Sequence, residues 1–191
     1  MKRYFSLYAV LGVALGLGLL ALIVLGPRLL RTPPAATPEA PGAVAAADVR
    51  KIRARLFYVS DDGVTLTGVE QEVVYGEGAA EQAKRLVEAQ LAAPAPPLVS
   101  AVPQGTTLRA IFLTNTGDAY VDVSSELRAN HPGGTTNEIL TVYSLVNALT
   151  ANLPSVTNVQ ILIDGKEVDT LGGHLDLRRP LAQDTRWVTQ P

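Results

Sequence analysis

Hydrophobic positions follow three regimes along the chain. From Phe5 to Gly26 (FSLYAVLGVALGLGLLALIVLG) no residue is charged. A helix rises about 1.5 Å per residue and needs about 20 residues to cross a hydrocarbon core, so this run predicts a transmembrane helix. Gly12, Gly16 and Gly18 lower its intrinsic propensity, but inside lipid every backbone amide must pair within its own segment. Residues 32–47 (TPPAATPEAPGAVAAA) then lose all periodicity, with four prolines and Glu39 as the one charge. That composition predicts a semi-extended, polyproline-rich stalk.

The third regime alternates strand and helix periods. Ile52 to Val59 is rich in β-formers and stops at Ser60-Asp61-Asp62-Gly63, a hairpin turn signal. A second strand is expected over Val64–Tyr75, broken near Gly68. Glu77 to Glu81 then place negative charge on a first helical turn, and Ala83, Leu86, Val87 and Leu91 recur at helical spacing until Pro94, Pro96 and Pro97. Residues 107–114 and 118–123 read as two strands around Asn115-Thr116-Gly117. In the second, Ala119, Val121 and Val123 share one face, and Asp118, Tyr120 and Asp122 the wet one. Thr135 with Glu138 forms a capping box for a helix carrying Ile139, Val142, Val146, Leu149 and Leu153, stopped by Pro154. Asn158–Ile163 is apolar enough for burial on both faces and ends at Asp164-Gly165; a short tail strand is expected near Leu171–Leu177. The order predicts an α+β domain, with two helices packed on one face of a small mixed sheet.

Charge sets orientation and excludes one class of partner. Lys2 and Arg3 before the first helix are balanced by Arg28 and Arg31 after it, and a large C-terminal domain can be translocated regardless of charge. The expected topology is a single pass with the domain outside the cytoplasm. A cleaved signal peptide is the alternative, but its apolar region runs only about 7–15 residues. Gly12 and Gly16 make a GxxxG pair, a spacing common by chance in glycine-rich segments. The chain has no cysteine, so neither an N-terminal lipid thioether nor a disulfide can form. Residues 48–191 hold 12 of the 16 Lys and Arg and 17 of the 18 Asp and Glu. That acidic balance, with no basic cluster beyond Arg50, Lys51, Arg53 and Arg55, speaks against nucleic acid.

Candidate chemistry reduces to structural duty at each position. His131 precedes Pro132-Gly133-Gly134 and reads as a loop residue; His174 shares a strand face with Asp176 if the tail is extended. Neither has a partner at zinc-finger spacing. Ser124 and Ser125 beside Asp122 and Glu126 lack a nucleophile-elbow turn and a base, and are expected to cap a short helical turn. Asp61-Asp62 and Asp164, Glu167 and Asp169 stand at turns, where Asp bonds the turning backbone. Gly76-Glu77-Gly78 lacks the Lys and Ser/Thr of a phosphate loop and reads as a helix start. Arg178-Arg179 is expected to be solvated. No catalytic residue, cofactor-binding residue or metal ligand is assigned.

Several motifs carry a resemblance. Val102-Pro103-Gln104-Gly105-Thr106-Thr107-Leu108, Tyr120-Val121-Asp122-Val123-Ser124-Ser125-Glu126-Leu127, Ile163-Asp164-Gly165 and Gly172-Gly173-His174-Leu175-Asp176 resemble, in that order, the GerMN domain, also called the sporulation and spore germination domain. The likeness covers about residues 53–181, judged by motif order. It implies an extracytoplasmic, membrane-tethered module whose fold is similar to the ring-building motifs of secretion and sporulation channels, and which is non-catalytic. The chain departs from many relatives in having one copy and a spanning helix in place of a lipidated cysteine.

The expected organisation is a signal-anchor helix at residues 1–27, a Pro/Ala-rich linker at 28–49, the GerMN-like domain at 50–182 and a tail at 183–191. The expected function is a membrane-anchored, non-enzymatic envelope protein that assembles with other proteins. Its expected partners are envelope proteins, a second copy of itself, the bilayer through residues 5–26, and peptidoglycan. A peptidoglycan- or glycan-binding accessory module is the alternative, for which Trp187 and six tyrosines are the aromatic resources; a hydrolase ranks last.

Overall fold

The computed structural model describes residues 49–189, all within one unit, Asp48–Pro191. The helix expected at residues 5–26 and the stalk lie outside the described residues. Among the described residues no helix is long and apolar enough to cross a membrane.

Strand β1 (Lys51–Val59) pairs antiparallel with β2 (Leu66–Val74), followed by helix α1 (Gly78–Leu91). Then come β3 (Leu108–Leu113), β4 (Asp118–Val123), the short α2 (Glu126–Ala129), α3 (Thr135–Asn152) and β5 (Asn158–Ile163). Two-residue strands β6 (Lys166–Glu167) and β7 (Leu181–Ala182) and a 3-10 turn, Thr185–Trp187, complete it. The α+β class and the order hold, but the strands form two sheets rather than one. β1 and β2 stand alone, while β3-β4-β5-β6 form a mixed sheet with β7 also on β5; only β4 and β5 run parallel.

The reason for the split lies along the outer edge of β1. A strand edge exposes a row of unpaired amides and carbonyls. Here the row is closed from Arg55 to Val59. Arg55 N–H donates to Asn152 Oδ1 at 2.8 Å, and Asn152 Nδ2 donates to Arg55 C=O at 2.8 Å. Gln90 repeats the pattern at Phe57, accepting from its N–H at 2.9 Å and donating to its carbonyl at 2.7 Å. Val59 N–H donates to Val99 C=O at 2.9 Å. Two amide side chains from α1 and α3 thus act as a neighbouring strand, and β1 docks on the helices instead of joining the larger sheet.

α1 lies over β3 and α3 over β5, with β1 across the far side of α3. α3 is therefore the centre of the domain: from Leu140 to Leu149 every residue is buried. Its expected apolar stripe is real, but the helix is enclosed on nearly all sides, so Thr141, Ser144 and Asn147 are buried as well and find partners. Thr141 Oγ1 donates to Ala101 C=O at 2.6 Å, Ser144 Oγ to Thr141 C=O at 2.8 Å, and Asn147 Nδ2 to Asp184 C=O at 3.0 Å.

Several local expectations change. β2 is continuous through Gly68, which faces Phe57; a Cβ there would come 2.1 Å from Arg55 Nε, so the glycine makes room for that side chain rather than breaking the strand. Residues 171–177 form no strand. Leu171 and Leu177 are buried in a turning segment, and the short tail strand is β7. Beyond the expected domain end at 182, Trp187 packs on the core and Val188 bridges to Leu66. Asp164-Gly165 is a two-residue hairpin between β5 and β6, with φ of 51° and 76° as a type I′ turn requires.

Candidate functional site

The capping box is the largest correction, and it opens the chemistry of one end of the domain. Gly134, with φ of 86°, takes the N-cap position of α3, and Asn137 holds the first turn by donating to Gly133 C=O at 2.8 Å. Glu138 is freed from that role and is fully buried. Its carboxylate accepts from Leu171 N–H at 2.8 Å and His174 N–H at 2.9 Å. Burial alone would raise its pKa, but the amides of Gly172, His174, Leu171 and Leu175 outweigh that and hold it below the ordinary glutamate value. Gly172 fits tightly here, since a Cβ would lie 3.1 Å from Glu138 Oε2. One carboxylate thus fastens the 170–175 segment to α3.

Residues just past the 120–127 motif tie the 102–108 motif and the 170–175 segment to α2. Arg128 Nη2 of α2 donates to Thr170 C=O at 2.6 Å, and Asn130 Nδ2 donates to Gln104 C=O at 2.9 Å. Ser124 does not cap α2: its Oγ accepts from Thr107 N–H at 3.0 Å, tying the β3 start to the β4 end, and Ser125 makes no side-chain cap. The Ser124 hydroxyl also lowers the pKa of Glu126.

The histidines do not form a site together. His131 Nδ1 accepts from Gly133 N–H at 3.0 Å, which places the ring proton on Nε2; that buried atom has no partner among the described residues. His174 is exposed and contributes its backbone amide. It does not engage Asp176, whose carboxylate grips Arg178 Nε at 2.9 Å and Nη2 at 2.8 Å. That pairing holds the Asp176 carboxyl well below its ordinary range. Among the described residues no three His, Asp or Glu side chains stand close enough to hold a metal ion.

Remaining acids serve turns and clamps. Asp62 accepts from the Ser60 hydroxyl and from Val64 N–H at 2.8 Å and Thr65 N–H at 3.0 Å, lowering its pKa. Asp122, buried at the end of β4, accepts from Gly165 N–H at 2.7 Å and from Arg109 Nε at 3.2 Å, while Arg109 Nη1 reaches Asp164 at 2.8 Å. Glu167 and Asp169 join neither group. Gly76 and Gly78 start α1 as expected: a Cβ on Gly76 would come 2.4 Å from Gln82 N. The basic cluster on β1 faces acids in register, Arg53 opposite Glu72 and Arg55 opposite Glu70, with Lys51 Nζ 2.9 Å from Glu72.

Exposed apolar side chains lie elsewhere. Phe112 on β3 is 61% exposed, Val99 58% and Val64 53%. A groove of about 460 Å³ runs between α1 (Ala80, Glu81, Lys84, Glu88) and β3 (Leu108–Ile111), and a hollow of about 310 Å³ continues it past Leu91 and Thr106. No pattern in the sequence marked this surface, because it depends on β3 being a sheet edge.

The profile of the Germane family, described as sporulation and spore germination, matches residues 55–169. The chain belongs to that family. Its fold agrees with solved GerMN structures. The first GerMN domain of the sporulation protein GerM from Bacillus subtilis aligns with a TM-score of 0.53 at 20% identity, covering 69% of this chain and 97% of that one. The tandem GerMN domains of the same protein align at 0.51 and 19% identity over 71% of this chain and 46% of theirs, the share one of two copies takes. A protein from Clostridium perfringens described as a lipoprotein aligns at 0.50 and 23% identity, covering 71% and 89%. At these identities the likeness shows the fold. No curated protein matches the chain.

Proposed function

We propose that this Germane-family protein is a non-enzymatic cell-envelope protein, tethered by residues 5–26 with its domain outside the cytoplasm, that assembles with other proteins in envelope or sporulation-type complexes. The observation carrying the reading is how the reactive side chains are spent. Asp62, Asp122, Glu138, Asp176 and Asp184 each hold a backbone amide, while apolar Phe112, Val99 and Val64 face solvent. Of these, Phe112 stands on the edge strand of the mixed sheet, where it offers an apolar contact to a docked protein. The family supports the envelope placement, as does the structural neighbour described as a lipoprotein.

Cross-linking of the full chain in native membranes, with partners identified by mass spectrometry, tests assembly; absence of any cross-linked protein refutes it. A reporter enzyme active only outside the cytoplasm, fused after Pro191, tests orientation and must be active. Turnover of a cell-wall fragment that is lost on changing His174 or Asp176 would replace the reading with a hydrolase. For glycan binding, the aromatic resource shrinks, since Trp187 packs on the core.

A further inference from the structure

We propose that the free edge of β3, with the flank of α1 above it, is a strand-addition site for an extended segment of another polypeptide. The inference rests on the assembly reading and names the surface that assembly would use.

β3 pairs with β4 only on one side and ends the sheet. Thr114 N–H donates to Asp118 C=O at 2.9 Å, so by the two-residue period Phe112 and Ala110 also turn their backbone groups toward β4. Ile111 and Leu113 therefore turn theirs outward, and among the described residues nothing pairs with them. The other edges are closed or charged. Gln90, Asn152 and Val99 occupy β1, β6 and β7 flank β5, and Glu70 and Glu72 guard β2. Charged side chains and bulges normally blunt an edge. β3 has a bulge at Arg109, yet that guanidinium is drawn back across the sheet to Asp122 and Asp164, and Phe112 is left bare beside the open row.

The groove under α1 gives the segment a second wall, the arrangement used by modules that bind peptides between a sheet edge and a helix. From Ala80 to Leu91, α1 is about 16 Å long, room for about five residues of extended chain. The occupant would present an apolar side chain beside Phe112, a small one toward Ala80 and Leu108, and no proline at the paired positions. A second copy docked edge to edge does not fit. α1 packs on β3, the strand at the edge, so twofold pairing of two β3 edges would crowd the two α1 helices together on one face of the joined sheet. A lone segment brings no helix.

Heptapeptides displayed on phage and selected against the full chain are the probe. Enriched peptides are expected to alternate apolar and polar residues and to lose about tenfold or more in affinity for Ile111→Pro, which deletes an outward N–H, while Ile111→Val binds as the parent. Phe112→Ser is expected to weaken binding. Should Ile111→Pro fail to fold, amide exchange in the parent chain decides: Ile111 and Leu113 must slow when a synthetic copy of the enriched peptide is added. Unchanged exchange there, or no enriched peptide at all, overturns the proposal. A partner cross-linked in membranes through other residues also overturns it but leaves the assembly reading intact.

Discussion

Replacing Glu138 by Gln separates two accounts of the same residue. In a capping box Gln serves as well as Glu, so the change would cost almost nothing. In the structure the carboxylate is fully buried and accepts from Leu171 and His174 through its two oxygens. Gln offers one acceptor and one NH₂, so one of those amides would face a donor. Losing a charge-assisted bond costs about 1.5–3 kcal/mol, and the surviving bond keeps about half its strength without the charge. The sum is about 2–4 kcal/mol, a large share of the 5–15 kcal/mol that holds a typical domain. For a domain of this size that corresponds to a fall in Tm of about 6–15 °C at neutral pH.

Acid supplies a second axis. The folded-state pKa of Glu138 is depressed, so its contribution is complete above the ordinary glutamate pKa and is lost as pH falls through the folded value. The glutamine of the variant does not titrate. Melts of parent and Glu138→Gln chains, followed by circular dichroism, should therefore differ widely at pH 7, begin to approach one another below the ordinary glutamate pKa, and converge only once the pH has fallen through the depressed folded-state value. A Tm within 2 °C of the parent at pH 7, where about 6–15 °C is expected, would refute the anchor and restore the cap. Amide exchange at Leu171 and His174 should quicken in the variant.

Three further outcomes follow from the same packing. Gln90→Leu strips partners from both backbone groups of buried Phe57 and should cost about 2–4 kcal/mol in urea unfolding, whereas Asn152→Ala, at an exposed pair, should cost about 1 kcal/mol or less because water can substitute. Gly76→Ala places a Cβ against the backbone of Gln82 and should destabilise by about 2 kcal/mol or more, while Gly68→Ala meets only the movable Arg55 side chain and should cost less than half of that by the same assay. Phe112→Ser, at a mostly exposed position, should leave stability within about 0.5 kcal/mol of the parent while weakening peptide capture.

Where a structural decision was local, it was legible in the chain. Pro154 and Asp164-Gly165 bracket β5, and the expected Asn158–Ile163 is the observed strand. Gly76-Glu77-Gly78 marked the start of α1 because a glycine there answers to neighbours a few residues away. Glu138 misled for the same reason: its local pattern is a capping box, but its partners lie 33 and 36 residues further on. Gln90 and Asn152 carried no signal at all, since an amide looks alike whether it meets water or a strand edge 33 or 97 residues away. His174 and Asp176 failed to meet because the segment expected to be extended is instead bent around the Glu138 carboxylate.

The sequence by itself determined the alternation of elements, the apolar run at residues 5–26, the absence of cysteine and the family, because period, composition and motif order are properties of neighbouring residues. Only the tertiary structure decided that the strands divide into two sheets and that, among the described residues, β3 is left as an open edge. Those outcomes rest on which backbone groups remain unpaired after helices and distant amides have taken their share, and that accounting closes only when the whole chain is folded.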